Sequence, residues 1–129
     1  MIAVDTNIVV RLLTGDDPSQ FEKAQEVFTA AEIFIPETVI LEAEWVLRYA
    51  YDLAPATIHD GLLRLCGLPN VVLRDARAIS QAFEGYRAGM DFADALHLAT
   101  CGHCTTLFTF DKKFARSPVD SFRCKVRQP

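Results

Sequence analysis

The chain is predicted to adopt an α/β fold: a three-layer α/β/α sandwich whose central, mostly parallel sheet has four or five strands. Three observations predict it. Short apolar runs of strand character recur along the sequence, they are separated by segments with helical periodicity, and half of the 129 residues are hydrophobic, enough for a single core. Strands that alternate with helices form parallel sheets covered on both faces. One domain spanning residues 1–129 is expected.

Residues 2–4 form the first strand run and end at Asp5; residues 7–14 then read as a helix closed by Gly15. Asp16-Asp17-Pro18-Ser19 is a turn and helix start, and Phe21, Ala24, Val27, Phe28 and Ala31 mark the helix that follows. Val27 and Phe28 suit a core or a dimer interface equally. Residues 33–35 are a second strand, stopped by Pro36. Residues 37–51 read as a helix apolar over much of its circumference, and residues 54–66 as another, with Pro55 in its first turn and Gly67 after its end. A third strand covers residues 71–73. Helices over 76–87 and 92–101 are separated by Gly89; residues 105–110 are the strongest strand, 112–115 a helical turn and 121–126 an edge strand. There is no repeat, linker or low-complexity tract.

No apolar run approaches the ~18 residues that span a bilayer, and no basic stretch followed by an apolar segment marks export, so a cytoplasmic protein without a membrane partner is expected. Four cysteines in a chain of this size are expected to be reduced. The net charge of −4 is unevenly spread. Residues 1–110 carry 15 acidic and 7 basic side chains, a balance of −8, and residues 111–129 carry 2 and 6, a balance of +4. That basic tail suits phosphate neutralisation or a solvated terminus.

In open parallel sheets ligands bind at the carboxyl ends of strands. Asp5 and Asp111 each follow a strand directly, so their carboxylates converge if the two strands are neighbours; capping of the next helix is the other use of such an aspartate. Helical spacing groups Glu42 with Val39, Trp45, Val46 and Tyr49, a face expected in the core, where a carboxylate needs a cation. Glu44 lies four residues before Arg48 and is expected to form a surface ion pair. Asp91 and Asp94 stand at the start of a helix, Asp91 as its cap and Asp94 as a ligand candidate. Hard oxygen donors of this kind suit magnesium or manganese, and a metal with an attacking water supports in-line hydrolysis of a phosphodiester.

Four blocks carry a resemblance over nearly the whole chain: Asp5-Thr6-Asn7; Val39-Ile40-Leu41-Glu42-Ala43-Glu44-Trp45-Val46-Leu47; Asp91-Phe92-Ala93-Asp94-Ala95-Leu96-His97; and Thr109-Phe110-Asp111. In these the sequence resembles the PIN-domain nucleases, specifically the VapC-type toxins of bacterial toxin–antitoxin pairs. The resemblance implies an acidic quartet of Asp5, Glu42, Asp94 and Asp111 holding Mg2+ or Mn2+, Asp91 as a flanking metal-binding acid, and Asn7 and Thr109 as hydrogen-bonding supports. It also implies RNA cleavage by metal-activated water, a homodimer and an antitoxin partner. Lys112, Lys113 and Arg116 are the residues expected to bind RNA. Residues 51–87 match no motif, and substrate choice is expected to vary there.

Other chemistries fit less well. Cys101-Gly102-His103-Cys104 has the spacing of a thiol–disulfide pair, but it lies at the end of a helix, where the dipole disfavours a thiolate. A zinc site would need further ligands, from Cys66 or Cys124, and His97 reads as a polar helix residue. An aspartyl-phosphate phosphotransferase built on Asp5 would want a second aspartate beside it and a lysine such as Lys112 or Lys113, yet Asp5 is followed by Thr6-Asn7. A non-catalytic RNA- or protein-binding module of the same fold has no need of four carboxylates.

Overall fold

The computed structural model describes residues 1–117 and 120–129. The chain falls into two compact units, Met1–Arg74 and Asp75–Pro129. The five strands described are all paired in parallel, as three in the first unit and two in the second. No helix among the described residues is long and apolar enough to cross a membrane.

In the first unit the element order is β1 (Ile2–Ala3), α1 (Thr6–Thr14), α2 (Pro18–Ala30), β2 (Ile33–Phe34), α3 (Glu37–Tyr49), α4 (Pro55–Cys66) and β3 (Val71–Val72). Two helices separate each strand from the next, which supplies the crossover that parallel pairing requires. The strand order is β1-β2-β3, with Ile33 aligned to both Ile2 and Val71. The middle strand is the buried one: Ile33 and, just beyond it, Ile35 are almost inaccessible, and Val9, Ile40, Leu47, Ile58 and Leu62 complete this core. Phe28 also lies in it, and so packs internally. The helix starts follow the expected chemistry: Asp17 caps α2 with Pro18 in its first turn, and Pro55 opens α4.

The second unit contains α5 (Ala76–Arg87), α6 (Phe92–Thr100), β4 (Thr106–Phe108), α7 (Lys112–Ala115) and β5 (Lys125–Arg127). Strands β4 and β5 pair in parallel with Thr106 opposite Lys125 and Phe108 opposite Arg127. Helices α5 and α6 pack closely around Phe92, which is fully buried, stacked on Phe83 at 5.6 Å and edge-on to Tyr86 at 5.2 Å. Gly85 permits this approach, because a Cβ there would stand 3.1 Å from Ala95 Cβ and 3.2 Å from the Phe122 ring. Gly89 turns the chain between the two helices at φ 101°, a conformation that side chains resist, and so sets where Asp91 emerges.

Candidate active site

In the first unit Asp5 and the hydrogen-bond partner of Glu42 are successive residues at the start of α1. Asp5 leaves the strand and caps that helix, its Oδ1 accepting from the Ile8 backbone N–H at 3.4 Å. The next residue, Thr6, is buried, and its hydroxyl donates to Glu42 Oε1. A residue 36 positions away in sequence is thereby tied to the turn that presents Asp5. Thr6 escaped the sequence reading, which singled out Asn7. Asn7 is exposed in the first turn of α1. The signal that could have marked Thr6 is its place between a strand-ending acid and an apolar helix face, where a hydroxyl must find an acceptor.

The expected core position of Glu42 is not what the structure shows. Helix α3 buries Ile40, Ala43, Glu44 and Leu47, whereas Glu42 is exposed, with Trp45 at 55% and Tyr49 at 63%. The reason lies in the helix itself: it is apolar over much of its circumference, so its periodicity does not select a single face. The acid that can pair within the helix is the one that turns inward. Glu44, 1% exposed, accepts from Arg48 Nε at 2.8 Å and from Nη2 at 3.1 Å, so the ion pair expected at the surface has its carboxylate buried. Trp45 and Tyr49 stack on each other at 5.1 Å, and the Arg48 guanidinium lies 4.6 Å from the Tyr49 ring centre. Arg48 titrates above its ordinary value, chiefly through its hydrogen bonds to Glu44.

In the second unit three aspartates border one cavity of about 450 Å³. Asp91 caps α6 by accepting from the Asp94 N–H at 3.1 Å. Asp111 follows β4 and caps α7, its Oδ1 accepting from Lys113 N–H at 2.8 Å and Phe114 N–H at 3.2 Å, while its own N–H donates to the Thr109 hydroxyl at 3.0 Å. Both roles considered for such aspartates are therefore compatible. A cap occupies one oxygen and aims the carboxylate outward from the end of the strand.

Asp94 stands between them and titrates above the ordinary carboxylate range. Partial burial is the main cause, followed by the charges of Asp91 and Asp111, with His97 opposing. Lys113 and Arg116 line the same cavity, whereas Lys112 is exposed at the start of α7. Ser117 Oγ, also on the wall, is buried without a hydrogen-bond partner among the described residues.

The structure thus brings Asp5, Thr6 and Glu42 together in one unit, and Asp91, Asp94 and Asp111 in the other. Among the described residues, no three His, Cys, Asp or Glu side chains are grouped closely enough to hold a metal ion. The donor chemistry nevertheless fits a hard divalent cation. The acids offer oxygen alone, and the repulsion that lifts Asp94 is of the kind a cation relieves.

The cysteines are free and poorly suited to thiolate chemistry. Cys101 closes α6 at its C-terminal end. Burial pushes the Cys66 thiol up to about 12, and it raises Cys124 as well, with Cys101 and Cys104 adding to the effect.

Against known proteins, no curated protein matches the chain. The model of the PIN domain family, whose fold is a three-layer α/β/α sandwich and whose members are typically metal-dependent nucleases, matches residues 2–119. Since that match covers nearly the whole sequence, including the strand-ending acids Asp5 and Asp111 and the acidic start of α6, the chain belongs to the PIN domain family.

Proposed function

We propose that the protein is a Mg2+- or Mn2+-dependent endoribonuclease, the toxin of a VapC-type toxin–antitoxin pair. The observation that carries this reading is the second-unit cavity, where Asp91, Asp94 and Asp111 face the same space as Lys113 and Arg116. Carboxylates and cations around one opening suit a phosphodiester bound together with a metal ion. Asp94 and Asp111 would hold the ion there, with Asp91 flanking, and Asp5 and Glu42 are the candidate ligands that the first unit offers. When bound, such an ion lowers the pKa of an attacking water and offsets charge on the leaving oxygen.

The chain's own residues supply the rest. Lys113 and Arg116 attract the RNA phosphates and orient the backbone. Thr6 fixes the rotamer of Glu42, and Thr109 holds the turn that presents Asp111. Asp94 holds its proton more tightly than a free carboxyl, and the part of that shift that comes from the charges of Asp91 and Asp111 is what a bound cation would offset.

Incubation of purified protein with total RNA and either metal, followed by sequencing of RNA ends, tests the activity. Cleavage should stop with EDTA and fall by roughly a hundredfold or more in Asp5→Asn and Asp94→Asn, given that metal-ligand loss removes several kcal/mol of transition-state stabilisation. RNA left intact with both metals overturns the reading. The toxin assignment predicts growth arrest on induction in a bacterial host, relieved by a small protein that co-purifies with the chain. Light scattering should report a homodimer.

A further inference from the structure

We propose that the pocket framed by Arg77, His103 and Arg123 is a second binding site, one that takes a phosphate-class oxyanion. It has a volume of about 300 Å³ and shares no lining residue with the carboxylate cavity. Its three basic side chains come from separate segments of the second unit: Arg77 from the first turn of α5, His103 from the connection between α6 and β4, and Arg123 from the approach to β5.

Charge is the core of the argument. Asp75 is the sole carboxylate on the wall, and it is engaged as the cap of α5, accepting from the Ala78 N–H at 3.0 Å. Two arginines against one aspartate leave the wall at +1 with His103 neutral, in a chain whose net charge is −4. Among the described residues, Arg77, His103 and Arg123 form no ion pair.

Arg77 stands in the first turn of α5, at the positive end of the helix dipole, which the Asp75 cap already serves as anion. Buried Ala78, Leu98 and Phe122 form a fixed apolar base beneath the charges, and the half-buried Gln81 amide adds a neutral donor. Guanidinium groups bind phosphate through paired N–H donors, so two of them at one opening favour an oxyanion over a neutral ligand. Free phosphate and a backbone phosphate of RNA share this chemistry.

Calorimetric titration of the full chain in EDTA separates the two sources, using inorganic phosphate in one arm and a short single-stranded oligoribonucleotide in the other. The Arg77→Gln/Arg123→Gln variant should bind inorganic phosphate at least tenfold more weakly if the site takes the free ion. If it takes RNA, oligoribonucleotide affinity should fall several-fold, and the slope of log affinity against log salt should drop by roughly one. Either result supports the site. Arg77→Lys/Arg123→Lys should restore most of the loss, and both positions are exposed, so folding, checked by circular dichroism, should be intact. Unchanged binding of both ligands by the glutamine variant overturns the proposal. Because the readout is binding without metal, it stands or falls apart from the nuclease reading.

Discussion

Asp94 and Asp16 show opposite consequences of a side chain's surroundings. The folded-state pKa of Asp94 lies above its unfolded value of 3.8. Its contribution to stability is therefore complete below that value and lost as pH rises through the folded one. Asp94→Asn should melt higher than the parent at neutral pH in EDTA, and the advantage should disappear in acid; a variant that melts lower at neutral pH contradicts this. Asp16 is shifted down, chiefly by the Tyr51 hydroxyl at 2.6 Å and then by Thr14 and Arg11. Its contribution is present above 3.8 and fades as pH falls through the folded value. Melting curves of Tyr51→Phe should accordingly lose ground to the parent at neutral pH and converge with it in acid. At this scale the sequence marked candidate acids but not their setting. Asp5, Asp91 and Asp111 were legible because each follows a strand or opens a helix. The contact of Thr6 with Glu42 was not, since it joins residues far apart in the chain.

Packing between elements carries sharper mutational signatures. An alanine at Gly85 would place its Cβ 2.9 Å from the mobile Met90 Sδ but also 3.1 Å from Ala95 Cβ on the facing helix, which has no side-chain freedom to yield. Gly85→Ala should cost about 1–3 kcal/mol in chemical denaturation. Within α3, Arg48→Ala strips a guanidinium from a carboxylate that is 2% exposed. Loss of a buried pair costs roughly 3–5 kcal/mol; with Arg48 itself 30% exposed, about 2–3 kcal/mol is expected. Helix α5 and the short α7 have the bounds that capping and turn residues predict, residues 76–87 and 112–115. The strands are shorter than their apolar runs suggest, because pairing, which the runs do not encode, ends after two or three residues.

For the molecule as a whole, the metal reading makes a thermodynamic prediction. An ion that binds the folded state alone stabilises it by about 2.7 kcal/mol at a hundred times its Kd. Magnesium or manganese should raise the denaturation midpoint of the parent and leave Asp94→Asn nearly unmoved; an unchanged parent midpoint rules out a metal site coupled to folding. The sequence by itself determined the α/β class, the order of elements, the family and the uneven charge, since each is written in local patterning and composition. Tertiary structure decided which face of α3 is buried, which hydroxyl supports Glu42, and which arginines line one pocket. A helix apolar over much of its circumference does not select its buried face by periodicity alone, so those outcomes depend on neighbours that are distant in the chain.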